Sequence, residues 1–371
     1  YSQLDPIDSR GSAQGLAARL EQLLDRVIAA QAFLNIDMED YHLKDLTLRI
    51  FKDIASSAKY RHYRHIGLVL QTYLKECEQD IAELIVWART RGAPITARLV
   101  KGAYWDYEGI HARQHGWPVP VYARKCETDA CYERCAAQLL QAHDCLDASF
   151  GSHNIRSLVA ALAIAESLKL PTNAVEIQGL YGMADPLKET FAEAGYRVRV
   201  YMPFGEMLPG MAYLVRRLLE NTANESFLRQ GFIEDVNVDQ LLAVPAASSE
   251  LKSVAQASLP VKKLATARTA AYFHNEPDTA FLAEKERDDF NAAIVGARRQ
   301  LGKSWPLIIG GKEESGQDGT ISSLNPSNTC EVVGKVAMAS ISQADLAVAA
   351  ARKAFPAWRG ASVKTRADTL R

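Results

Sequence analysis

The sequence has little cysteine for its length, six thiols in 371 residues (Cys77, Cys126, Cys131, Cys135, Cys145 and Cys330). That is too sparse for a disulfide scaffold, so reduced thiols in a cytosolic protein are expected. It has no excess of charge of one sign: Lys and Arg total 43, Asp and Glu 44, for a formal net charge of −1. Such a balance gives no reason to expect nucleic acid as a partner. No apolar run is long enough to span a bilayer, and no signal-peptide pattern opens the chain. An initiator methionine is absent too. The chain begins at Tyr1 and stops at Arg371 inside a helical pattern, and so reads as a piece of something longer. What is present is an ordinary globular mixture, 48% hydrophobic and 23% charged. It supplies ample core material for two domains and part of a third at roughly 150 residues each.

Short apolar runs alternate with longer amphipathic stretches as far as about residue 225. The spacing predicts strands at Ala32–Ile36, Ile66–Leu70, Ile95–Val100, Ala148–Gly151, Ala174–Gln178 and Val198–Met202. Helical patterns fall at Gln14–Ala30, Leu43–Ala58, Cys77–Arg91, Lys125–Ala142, Ile155–Leu168, Ala184–Ala194 and Glu206–Thr222. Strands alternating with helices imply parallel βαβ units, because a parallel neighbour is reached only by a crossover. Polar residues then gather at the strands' carboxyl ends: Asp37, Gln71, Lys101, His153, Gln178 and Tyr201. Barrels and doubly wound sheets both place active sites there. A doubly wound nucleotide fold would show a Gly-rich turn after its first strand, and none is present. A (β/α)8 TIM-type barrel is therefore expected, with about six of its eight units in this chain. The two missing strands are expected before Tyr1, and an unclosed barrel would expose strand edges.

The expected domains are a partial barrel over residues 1–232, a linking region with some helix over 233–300, and a third α/β piece over 301–371. The third begins near Trp305, with Ile308-Ile309-Gly310-Gly311, then Asn325-Pro326, then a helix over Gln343–Ala354 and Trp358 in the following turn.

Arg98-Leu99-Val100-Lys101-Gly102-Ala103-Tyr104-Trp105 is the most informative segment. Arg98 and Lys101 are three apart, so a strand turns them to opposite walls. Gly102 allows a close backbone approach, and two aromatics follow. This pattern suits a ligand-facing strand end, although a snorkelling lysine with packing aromatics accounts for it as well. Arg216-Arg217-Leu218-Leu219-Glu220 offers a guanidinium for a small carboxylate, or else a solvated ion pair. Gly151-Ser152-His153-Asn154 opens a helix, where His153 and Asn154 can meet a cofactor or Ser152 and Asn154 can simply cap it. Asp37 and Tyr201 are individually weak signals, readable as a turn residue and a partly buried phenol. Cys131 and Cys135 lie one helical turn apart with no Cys-x-x-Cys pair, which favours core thiols over a metal site.

Together Phe33–Asp37, Gly67–Tyr73, Ala97–Trp105, Val121–Lys125, Ser152–Asn154, Glu176–Met183 with Pro186-Leu187, and Ala212–Asn221 resemble the proline dehydrogenase family. More closely, they resemble the barrel of bifunctional bacterial proline utilization flavoenzymes. They cover most of residues 30–228, and the stretch from Trp305 resembles the start of an aldehyde dehydrogenase domain. The resemblance implies FAD at the barrel mouth and oxidation of L-proline to Δ1-pyrroline-5-carboxylate, with a hydride equivalent passing to the flavin. A membrane quinone would accept the electrons, met by a cytoplasmic protein peripheral to the inner membrane face, and a homo-oligomer is compatible with this. The parent's second activity would be an NAD-dependent L-glutamate-γ-semialdehyde dehydrogenase.

Carried over by residue, Arg216 and Arg217 would clamp the proline carboxylate, Tyr104, Leu180 and Tyr201 would pack around its ring, and Asp37 would lie nearby. Gln71, Arg98, Lys101, Gly102, His153, Asn154, Gln178 and Glu220 match cofactor contacts, as do Arg124, Lys125 and Thr128. The aldehyde dehydrogenase part stops before any nicotinamide-binding segment, and Cys330 stands too early to be its catalytic thiol. Two other readings remain at this point. One is an inactive fragment serving folding or assembly; the other is a Schiff-base lyase using Lys101.

Overall fold

Six short strands run parallel and side by side in chain order: β1 (Leu34–Ile36), β2 (Ile66–Gln71), β3 (Ile95–Val100), β4 (Leu146–Gly151), β5 (Val175–Leu180) and β6 (Arg197–Tyr201). The structure, a computed structural model, describes residues 8–206, positions 208, 210, 211, 213 and 215, and residues 242–245, 278–281 and 284–370. Helix α1 (Ser9–Ala29) precedes β1, and α2 (Tyr41–Ser56) and α3 (Cys77–Arg91) flank β2. Helices α4 (Trp105–His115) and α5 (Lys125–Gln141) follow β3; α6 (Ile155–Ser167) and α7 (Asp185–Glu193) follow β4 and β5. The result is an open sector of a (β/α) barrel, with β1 and β6 as the two edges of the sheet among the described residues.

Strand parity decides what the sheet shows to each side. On β3, Ile95, Ala97 and Leu99 are fully buried against the helices, and the alternate residues Thr96, Arg98 and Val100 face the concave side. The same alternation buries Leu146, Ala148 and Phe150 of β4 and Val175 and Ile177 of β5 in one core. Helix α5 supplies much of the facing layer through Cys131, Tyr132, Cys135, Ala136 and Leu139. Each large apolar side chain so covered contributes about 1.5–3 kcal/mol. The thiols of Cys77, Cys131, Cys135 and Cys145 are free and buried in the core, as the one-turn spacing of Cys131 and Cys135 suggests for that pair, and Cys126 is only half-buried.

All six expected strands form, with shifted ends. The first is three residues long, the fourth begins at Leu146, and the fifth extends to Leu180. Helix α4 was not expected. It buries only Glu108, Gly109 and Ala112, so it carries no apolar stripe for a periodicity argument to find. The expected helix Glu206–Thr222 is described only at scattered helical positions; Arg216, Arg217 and Glu220 lie outside the described residues, as does most of 233–283.

The chain divides into two compact units, Tyr1–Glu286 and Arg287–Arg371, with helix α8 (Glu284–Arg298) running across the division. In the second unit, β7 (Lys303–Trp305) pairs in parallel with β11 (Asn328–Ala337), which forms an antiparallel hairpin with β10 (Thr320–Asn325). Strands β8 (Leu307–Ile309) and β9 (Lys312–Glu314) form a hairpin whose two turn glycines, Gly310 and Gly311, both have positive φ, as a tight hairpin turn requires. Helix α9 (Ile341–Gly360) opens on a capping box of Ser340 and Gln343, and α10 (Val363–Thr369) follows. Trp358 belongs to α9 and not to a turn. The helix runs through Pro356, whose ring is accommodated within an otherwise continuous element.

Candidate active site

The concave face carries the polar residues. Pairing puts Val69, Arg98, Ser149, Glu176 and Arg197 in one row across the sheet, and Gly151, Gln178 and Arg199 in the row above. Asp37, directly beyond β1, forms an ion pair with Arg98 Nη2, and Arg98 Nη1 donates to Gln178 Oε1 at 3.4 Å. Gln178 Nε2 donates to Glu176 Oε1 at 2.7 Å, and Arg199 grips the same carboxylate through Nε and Nη2 at 2.7 and 2.8 Å. Burial pushes the Glu176 carboxyl up, but the hydrogen bonds from Arg199 and Gln178 outweigh it, leaving the group below its ordinary value. Burial also pulls Arg98 below the usual guanidinium value, opposed by Tyr201 and Glu176.

Among the buried polar atoms without a hydrogen-bond partner among the described residues are Gln71 Oε1, at the end of β2, and Arg98 Nε, on the neighbouring β3. Gln71 is oriented by its amide nitrogen, which donates to the Glu39 carbonyl at 3.2 Å. Gln71 ends β2 and Arg98 lies on the neighbouring β3, offset by two register positions, so a spare acceptor and a spare donor stand in the carboxyl half of the sheet and suit a ring whose rim alternates donors and acceptors, as that of a flavin does. Next to them Gly102 adopts φ +119°, and a Cβ there would lie 2.4 Å from the Tyr73 ring. The backbone therefore passes the aromatic more closely than any side chain allows.

Other expected site residues take up separate places. Lys101 turns away from Arg98 toward α5, where Nζ meets Asp129 Oδ1 at 2.5 Å while Lys125 meets Oδ2 at 3.0 Å. Burial pulls Lys101 down to about 8 against the attraction of Asp129. Asp129, pushed up by burial, is nevertheless held below its usual value by Lys101 and Lys125. Arg124 closes a capping box with Glu127 at the start of α5, and Thr128 is buried one turn on. His153 Nε2 accepts the Leu180 N–H at 3.2 Å, and Asn154 caps α6 by accepting from Ser157 N. Leu180 and Tyr201 are register partners at the ends of β5 and β6, with the Tyr201 ring 5.5 Å from that of Tyr213. Tyr104 packs instead on a small cluster of Tyr73, Leu74 and Val121.

Four residues escaped the sequence reading: Glu176, Arg199, Asp129 and Lys188. The signals were available for two of them. Glu176 shares strand parity with Gln178, and Asp129 stands four residues after Lys125 on one helix face. Lys188 could not be found that way; it donates to the Leu180 carbonyl at 2.8 Å across a turn.

A cavity of about 450 Å³ opens at the opposite, amino-terminal end of the sheet, lined by Arg64, His65, Asp147, Asn173 and Arg197 together with Glu176. Parallel barrels carry their chemistry at the carboxyl ends, and the spare donor and acceptor are there, so the candidate site is assigned to that end. No described helix is long and apolar enough to cross a membrane.

The family model for proline dehydrogenase matches residues 3–230, and that for the aldehyde dehydrogenase family matches residues 313–371. The chain is 31% identical over 350 residues to the bifunctional protein PutA of Escherichia coli strain K12, covering 91% of this chain and 26% of that protein. It is 30% identical over 227 residues to the proline dehydrogenase of Deinococcus radiodurans, covering 61% of this chain and 66% of that one. The crystal structure of proline utilization A from Bdellovibrio bacteriovorus inactivated by N-propargylglycine superposes with a TM-score of 0.83 at 39% identity, over 99% of this chain and 37% of that one. The chain thus spans about a quarter of the length of the bifunctional PutA of Escherichia coli. The six-stranded parallel sector is an incomplete TIM barrel of this kind, followed by a β-rich stretch matching the start of an aldehyde dehydrogenase domain.

Proposed function

The chain belongs to the proline dehydrogenase family, and from that premise we propose that it is the flavin-site portion of an FAD-dependent enzyme oxidising L-proline to Δ1-pyrroline-5-carboxylate. The observation that carries this reading is the pairing of Arg98 with Asp37 and Gln178 on the concave face, with Arg98 Nε and Gln71 Oε1 left as spare donor and acceptor. FAD, when bound, supplies the two-electron acceptor. Gln71, Arg98, Lys101, Gly102, His153, Asn154, Gln178 and Glu220 would hold and orient it, as would Arg124, Lys125 and Thr128. Arg98 would supply a positive charge and a hydrogen-bond donor to it. Arg216 and Arg217 bind the substrate carboxylate bidentately. Tyr104, Leu180 and Tyr201 enclose the pyrrolidine ring and exclude water, with Asp37 at the pocket edge.

In the parent protein the barrel occupies residues 1–232 of this sequence, a linker 233–300, and the second domain begins at 301. That second domain is an NAD-dependent L-glutamate-γ-semialdehyde dehydrogenase. A membrane quinone is the electron acceptor, reached by a cytoplasmic protein touching the inner membrane face. The readings as an inert assembly unit or a Schiff-base lyase are not favoured. The family match runs through the barrel, and Lys101 is held in an ion pair with Asp129. The test is spectroscopic. Purified full-length protein should carry FAD and be bleached anaerobically by L-proline; a colourless protein, or a yellow one that proline leaves unchanged, would refute the reading.

A further inference from the structure

We propose that Glu176 is a positioning residue for the flavin site, setting which way round the Gln178 amide sits and, through that amide, holding the Arg98 guanidinium. The inference rests on the flavin reading above. An ionised carboxylate only accepts hydrogen bonds, so the amide edge turned toward it must be the NH2 group. Gln178 Nε2 does donate to Glu176 Oε1 at 2.7 Å, and this leaves the amide oxygen for Arg98 Nη1 at 3.4 Å. A reversed amide would set its NH2 against a guanidinium with no acceptor and its oxygen against the carboxylate, losing both bonds.

Glu176 is itself held still. Its side chain is 7% exposed, Arg199 occupies both of its oxygens, and Ser149 Oγ approaches Oε1 at 3.5 Å. Arg98 is then fixed from two sides, by Gln178 at one terminal nitrogen and by Asp37 at the other. Nε is the one nitrogen of that guanidinium left buried without a partner. Glu176 thus acts at one remove, its effect on Arg98 passing through Gln178.

The experiment uses full-length, flavin-loaded protein and reads the flavin dissociation constant alongside proline turnover. Glu176→Gln keeps the shape but adds an NH2 group, so the Gln178 amide loses its direction. Flavin binding should weaken at least tenfold, and kcat should fall with little change in the KM for proline. In a Gln178→Leu background the same substitution should change flavin binding less than twofold, because the intermediary is gone. If Glu176→Gln alone does not fold, Glu176→Gln with Arg199→Gln removes both charges together and should show the same tenfold loss. Flavin binding within twofold of wild type in whichever of these two variants folds, or equal losses with and without Gln178, would overturn the inference while leaving the proposed function standing. Wild-type protein that takes up no flavin would instead refute the proposed function, and this inference with it.

Discussion

Gly102 and Tyr73 are in closer contact than any residue but glycine permits: a Cβ at position 102 would sit 2.4 to 2.6 Å from three atoms of the Tyr73 ring. The ring cannot retreat, since Tyr73 is buried and its backbone is pinned by bonds from Tyr73 N to the Lys101 carbonyl and from Tyr122 N to its own carbonyl. Gly102→Ala therefore meets both a clash and an unfavourable positive φ. A loss of about 2–4 kcal/mol is expected from the two together. Urea denaturation of the full-length protein checks this, and an unchanged midpoint would contradict the close contact.

Arg98 is the charged group at the centre of the candidate site. Replacing it by Met removes one preorganised donor and a positive charge. By analogy with other donor deletions, proline turnover should fall about 10²–10³-fold. The check is steady-state kinetics on full-length enzyme that still binds flavin. Activity within threefold of wild type would place the reacting centre elsewhere.

Lys101 gives a pH signature. Folded, it releases its proton near pH 8; unfolded, near its ordinary 10.5. Between those values the unfolded chain binds more protons, so stability rises with pH. The cost of burying the charged form is fully present below pH 8 and is relieved toward 10.5. The stability of wild type minus that of Lys101→Met should climb across this window. A flat or falling difference would mean the ammonium is not desolvated as its position implies.

Lys44 is buried, with Nζ at 2.8 Å from both Glu76 Oε2 and Asp80 Oδ1 and at 3.2 Å from Asp45. Burial pulls its pKa down, yet the surrounding carboxylates more than reverse this and hold it above the usual value. Lys44→Met leaves those carboxylates without their cation at the junction of α2 and α3, and should cost about 3–5 kcal/mol. Adding Asp80→Leu should recover part of that loss. A single variant as stable as wild type would show that the cluster is solvated in solution.

Strands were easier to read than the site they support. Runs such as Ile66–Leu70 and Ile95–Val100 announce themselves because a buried parallel strand needs a short apolar segment and little else. Helix α4 gives no such sign, since it buries a carboxylate, a glycine and an alanine. At the site, Asp37 and Gln178 were legible as polar residues at strand ends and Arg98 as a cation within the Arg98–Trp105 segment, and the fold brings these three into contact. Asn154 was legible only as an alternative, and the cap it makes on α6 is the plainer of the two. Tyr104 stands with Tyr73 and Leu74 because an intervening loop, paired through Leu74 and Val121, gathers those aromatics into a cluster of its own.

Local pattern was sufficient for the number of strands, their common direction and the end at which polar groups collect. Each of those depends on residues within a few positions of one another: parity along a strand, amphipathicity along a helix, and the crossover that joins them. Which polar groups meet depended on register between distant segments. Arg98 reaches Asp37 across 61 residues of sequence and Gln178 across 80, and Glu176 finds Arg199 only because β5 and β6 pair as they do. A shift of one residue in any of those pairings would turn the same side chains to the opposite face. The partners of Arg98 are thus a property of the assembled sheet, settled by the packing that sets its register.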